Sequence, residues 1–203
     1  MRMAGGAALV VGLGVLAMMG AVAAATRVAA PLVCNKGPEG QRFSVLVTLP
    51  ERAEAGSLYT LRLDGNSSGK ISHFGLNHLH DMTVEYQLPS GASYVEGSAK
   101  LVDGTGTANV RPGARVWVSD GLVTMKLPGK VENGTDYTPP SIALQLRASG
   151  APGSSAVVSF RHFQLKANAF LVGDVAVTCD PTPKPFPIGA TLITPAAESP
   201  PVR

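Results

Sequence analysis

The stretch Met82-Thr83-Val84-Glu85-Tyr86-Gln87-Leu88 decides the fold. Every second residue is apolar and every residue between is polar, so an extended chain sets one face on a core and the other in water. Pro89 ends the run, because proline has no N–H to give a ladder. The same period recurs on both sides. Upstream, Phe43, Val45, Val47 and Leu49 alternate with Ser44, Leu46 and Thr48, and Tyr59, Leu61 and Leu63 alternate with Thr60 and Arg62 as far as Asp64-Gly65. Downstream, Val116-Trp117-Val118 runs into Ser119-Asp120-Gly121, after which Val123, Met125 and Leu127 resume the alternation. Asp-Gly between two such runs predicts a hairpin, since both central residues of a type I′ turn take positive φ. Ile142, Leu144 and Leu146, then Ala156, Val158 and Phe160, then residues 175–179 complete the series. About eight to ten short strands with turn residues between them and no amphipathic helix predict one all-β domain, an antiparallel β-sandwich. A barrel around a ligand cavity needs longer strands than a chain interrupted so often by Gly and Pro provides.

The ends of the chain differ from this body. Met1-Arg2-Met3 precedes an apolar stretch over residues 7–22, and no further charge appears before Arg27. A basic start and an apolar run followed by the small residues Ala23-Ala24-Ala25 predict a cleavable signal peptide, residues 1–25, with the cut before Thr26. A cut after Ala30 would leave Pro31 first. The competing expectation is a retained anchor: the run is just long enough to span a bilayer, but its Gly and Ala make it a weak permanent span. Cys34 follows Val33 rather than a small residue, which disfavours a lipoprotein. The expected mature form is therefore secreted, extracellular or in the cell envelope, without a membrane span. Seven prolines fall within the last 23 residues. That composition predicts an extended, disordered tail over 181–203, leaving residues 26–180 as the domain. The tail carries no L-P-x-T-G sorting motif.

Loss of Arg2 with the leader lowers the net charge from +3 to about +2, with no basic cluster to track a phosphate backbone. Nucleic acid is not expected as a partner on that ground. The only two cysteines, Cys34 and Cys179, stand at the two ends of the expected domain. In an exported chain such a pair predicts a disulfide, and the absence of C-x-x-C spacing argues against redox or thiolate-metal chemistry.

The segment Val84-Glu85-Tyr86-Gln87-Leu88-Pro89-Ser90-Gly91-Ala92-Ser93-Tyr94-Val95-Glu96-Gly97-Ser98 resembles the strand, Leu-Pro-x-Gly, strand signature of conserved-repeat immunoglobulin-like domains in bacterial surface proteins. The layout of the body, with one Cys near each end of a Gly- and Pro-punctuated β chain, is similar to that of actinobacterial secreted domains of unknown function. The resemblance implies an immunoglobulin-like fold outside the cytoplasm. It supplies no catalytic residue and no ligand.

Three of the four histidines fall in His73-Phe74-Gly75-Leu76-Asn77-His78-Leu79-His80-Asp81. In an extended chain His78 and His80 share a face, and two imidazoles so spaced can hold one copper or zinc ion, with His73 folding back as a third ligand and Asp81 as an oxygen donor. The competing expectation is a polar loop with solvated histidines. Gly65-Asn66-Ser67-Ser68-Gly69 matches G-x-S-x-G, but Lys70-Ile71-Ser72-His73 is no helix start, so a nucleophile elbow is not expected. Asn66-Ser67-Ser68 and Asn133-Gly134-Thr135 are glycosylation sequons that double as turn sequences. Trp117 is either a core anchor or an exposed ring, depending on which face of its strand points inward; Tyr94, Tyr137 and Phe160 are expected in the core. The function that follows from sequence is a non-enzymatic module that binds a protein or cell-wall component, with extracytoplasmic copper or zinc binding as the alternative.

Overall fold

A computed structural model describes residues 23–37, 39–65, 71–102 and 113–197. The alternating segments form strands, and these assemble into two sheets that share their first strand. One sheet is built from β1 (Ala23–Cys34), β2 (Arg42–Pro50), β4 (Leu58–Gly65) and β11 (Ser141–Ala148), in that spatial order, with the short β6 (Ala92–Tyr94) and β7 (Lys100–Val102) along the far side of β11. The second sheet runs from the end of β1 through β13 (Gly173–Pro181), β12 (Ser155–Ala169), β5 (Leu76–Gln87) and β9 (Leu122–Leu127) to β8 (Arg115–Ser119). β10 (Val131–Glu132) pairs with β5, and β14 (Phe186–Thr194) pairs with β12 on one side and β3 (Arg52–Glu54) on the other. All pairs are antiparallel except β3 with β14.

The inward residues are those the alternation predicts. Val45, Val47, Leu61, Leu63, Ile142, Leu144 and Leu146 from the first sheet meet Met82, Val84, Tyr86, Val123, Met125, Leu127, Val158 and Phe160 from the second in one buried cluster. Phe43 stacks on Phe160 across the interface, centroids 4.4 Å apart and planes 4° from parallel. Burying side chains of this size contributes roughly 1.5–3 kcal/mol each. The β8–β9 hairpin turns at Asp120 and Gly121, whose φ of 52° and 73° are those a type I′ turn demands. Tyr86 and Tyr137 lie buried, and desolvation raises both phenols above their ordinary range.

Two expectations are corrected. Fourteen strands are present among the described residues, not eight to ten. Several of the additional ones span only two or three residues, too short for a period to show. The disordered tail expected over 181–203 contains β14, because Ile188 and Ile193 are buried despite the surrounding prolines; residues 198–203 lie outside the described residues. At the other end, Ala23, Ala24 and Ala25 pair with Pro50, Leu49 and Thr48, so the expected cut before Thr26 falls within β1, and the apolar run over 7–22 lies outside the described residues. The Cys34–Cys179 disulfide forms as expected, linking β1 to β13. Among the described residues no helix is long and apolar enough to cross a membrane.

Candidate functional site

His78 and His80 share even numbering with Met82, Val84 and Tyr86, so a regular strand would aim both imidazoles into the core. A bulge prevents it. Thr83 pairs with Gln164 but His80 pairs with Lys166, so two residues of β5, Asp81 and Met82, face one on β12. Asp81 takes a φ of 51°, and the inserted residue reverses the facing of His78, Leu79 and His80. Leu79 packs against the core instead. His78 and His80 join the exposed face in cross-strand rows with Asn168 and Lys166, and β13 adds Asp174 opposite Asn168.

His78, His80 and Asp174 come together on that face, each offering a ligand atom within 4.8 Å of the others. The two imidazole centroids are 5.3 Å apart. Asn77 Nδ2 donates to Asn168 Oδ1 at 2.9 Å, and Asn168 Nδ2 donates to Asp174 Oδ1 at 2.6 Å. This leaves Asp174 Oδ2 beside His80 Nε2 at 3.1 Å. Nε2 is buried and has no partner besides this carboxylate among the described residues. His80 Nδ1 lies 3.3 Å from Asp81 Oδ2, which also receives Lys166 Nζ at 3.0 Å. Lys166 holds the Asp81 carboxyl below its usual range, and Asp81 in turn raises the Lys166 ammonium. Asn168 first, and then His80, lower the Asp174 carboxyl.

His73 is not in this group. Its backbone is clamped by Asn133, whose Oδ1 accepts from His73 N at 3.1 Å and whose Nδ2 donates to the His73 carbonyl at 3.2 Å. Asn133 follows β10, on the opposite side of β5 from β12 and β13. Asp81, expected as an oxygen donor, supports His80 and Lys166 instead. Asp174 was invisible to local spacing because it lies two strands away.

The same end of the sheet carries a feature that alternation did not flag. Phe74, Phe170, Leu171 and Val172 are 105%, 65%, 91% and 72% exposed. Phe74 precedes β5, and the other three make the β12–β13 turn. Phe170 N donates to Gly75 O at 2.7 Å and ties the two loops together. Three large apolar residues in succession at a turn, where polar residues and Gly are usual, were the available signal.

At the other end of β5 an open groove of about 730 Å³ is lined by Gln87, Pro89, Tyr94, Glu96 and Asp120 among others. Trp117 is partly exposed, with the Arg115 guanidinium 5.2 Å from its ring centroid, while Val116 and Val118 turn toward the core. His162 Nδ1 and Lys184 Nζ both lie 2.7 Å from Asp180 Oδ1, and Lys184 chiefly lowers that carboxyl. Asn66-Ser67-Ser68-Gly69, with its sequon and its G-x-S-x-G match, lies outside the described residues.

No protein-family model matches the chain, and no curated protein does. Among solved structures, a putative membrane anchored protein from Corynebacterium diphtheriae is similar over 86% of this chain and 38% of its own, at 15% identity and a TM-score of 0.45, so this chain spans under two fifths of that protein's length. The sixth cohesin of scaffoldin B from Acetivibrio cellulolyticus, solved in complex with a Cel5 dockerin, is similar over 72% of this chain and 95% of its own, at 18% identity and a TM-score of 0.35. The collagen binding domain of surface protein RspB from Erysipelothrix rhusiopathiae is similar over 87% of this chain and 61% of its own, at 15% identity and a TM-score of 0.36.

Proposed function

We propose that this chain is an exported, non-catalytic immunoglobulin-like module that docks on a protein or cell-wall partner through the tip formed by Phe74, Phe170, Leu171 and Val172. The exposure of these four side chains on two loops joined by a backbone hydrogen bond carries the reading. Contiguous apolar surface with a polar rim marks an interaction site, and here Asn77, His78 and Asp174 supply the rim. Export is supported by the basic start, the apolar run and the disulfide, which belongs to an oxidising compartment.

The size of the tip sets the strength of binding. Full burial of four such side chains gives roughly 6–12 kcal/mol gross, against which association costs at least about 4 kcal/mol. The tip alone therefore supports micromolar or weaker binding, and tighter binding needs the polar rim. Co-sedimentation of the purified chain with isolated cell envelopes tests this. The triple substitution Phe74→Ser, Phe170→Ser, Leu171→Ser is expected to lower envelope binding at least about tenfold while leaving the unfolding temperature unchanged. Equal binding by the variant, or retention by protein-free lipid vesicles alone, would sink the proposal.

A further inference from the structure

We propose that His78, His80 and Asp174 bind one divalent ion of the zinc class, bridging β5 and β13 across β12. Two imidazole nitrogens and one carboxylate oxygen are a donor set such ions take, with the remaining position left to water. The surroundings are arranged as around a metal. A ligating histidine ordinarily donates its second ring N–H to an oxygen, and His80 Nδ1 faces Asp81 Oδ2. The ligating carboxylate is itself fixed, by the relay from Asn77 through Asn168 to Asp174 Oδ1.

The unsatisfied atom carries the argument furthest. If His80 Nδ1 donates to Asp81, Nε2 is a lone pair, and it stands 3.1 Å from a carboxylate oxygen without a hydrogen bond. Two acceptors held that close repel; moving the proton to Nε2 serves Asp174 but sets the Nδ1 lone pair 3.3 Å from Asp81 Oδ2, so a cation at Nε2 or a doubly protonated ring is what satisfies both carboxylates. A tetrahedral ion with bonds of about 2.1 Å sets its ligands about 3.4 Å apart. His80 and Asp174, at 3.1 Å, stand near that spacing, and His78 needs only to close from within 4.8 Å. With neutral imidazoles the local charges are Asp81, Asp174 and Lys166, net negative by one, which favours a dication.

The test is titration of the purified chain with Zn²⁺ by calorimetry at neutral pH, repeated with Co²⁺ to read the visible absorption of a bound ion. One equivalent is expected, with a Kd of about 1 μM or tighter. Asp174→Asn and His80→Ala are each expected to weaken binding at least about tenfold, and Asn168→Ala to do so through orientation of Asp174. His73→Ala is expected to change nothing. Asp174 is solvent-exposed, so its variant decides the matter if His80→Ala fails to fold. Absence of stoichiometric binding would overturn the site and leave the cluster as a polar network on the sheet face; equal loss with His73→Ala would overturn the ligand set. Neither result bears on docking by the apolar tip, which is read in metal-free buffer.

Discussion

Asp81 controls more of the molecule than its size suggests. An L-residue with a φ of 51° occupies the left-handed region, which Asp and Asn tolerate and β-branched residues do not. The side chain also accepts Lys166 and faces His80, so one residue holds the bulge open and steadies the imidazole that the bulge exposes. Substitution separates the two roles. Asp81→Gly keeps the backbone conformation and loses the ion pair, whereas Asp81→Val loses both. Because surface ion pairs contribute little, Asp81→Val is expected to cost about 1–2 kcal/mol more than Asp81→Gly. Urea unfolding monitored by Trp117 fluorescence measures this, with the slope checked for constancy. Equal midpoints for the two variants would mean that the left-handed backbone does not hold the histidines on the outer face.

β14 shows how a strand hides in a proline-rich sequence. Its buried Ile188 and Ile193 lie among prolines and small residues, and Thr191 Oγ1 donates to Pro50 O at 2.9 Å. Gly189 allows the strand to lie against β2: a Cβ there would stand 2.7 Å from Leu49 Cδ2 and 3.1 Å from Val47 Cγ1. Gly189→Ala is accordingly expected to destabilise the domain by about 1–3 kcal/mol. A chain stopped after Pro185 is expected to lose cooperative thermal unfolding, while one stopped after residue 197 keeps it; calorimetry of both decides whether β14 is integral. The alternating strands were legible because each declares its inward face within six or seven residues, as residues 82–88 do. Three features were not legible locally. Phe186 to Thr194 does not alternate, since proline and glycine occupy positions that a period needs. The bulge changes facing without changing composition, so the spacing of His78 and His80 predicts that they share a face, while which face that is depends on Asp81. Asp174 joins them through the register of three strands, which no window along the chain contains.

The disulfide acts on the whole chain. Cys34 and Cys179 are register partners within a ladder that also pairs Val33 with Asp180 and Leu32 with Pro181. The folded state therefore already holds these strands side by side, and the bond adds little to their contact. Its effect falls on the unfolded chain, where it closes a loop with a sequence separation of 145. Loop entropy gives an upper figure of about 5 kcal/mol, and measured contributions run at about 2–4 kcal/mol. A single domain is typically stable by about 5–15 kcal/mol, so the chain lacking the bond remains folded at room temperature with less margin. For a domain of this size each kcal/mol moves the unfolding temperature by about 2–4 °C. The double variant Cys34→Ala, Cys179→Ala is expected to keep its far-ultraviolet circular dichroism and to melt roughly 5–15 °C lower. A fall of that size with an unchanged spectrum places the effect in the unfolded ensemble. Loss of the β spectrum at room temperature would instead mean that the junction where β1 passes from one sheet to the other depends on the covalent link.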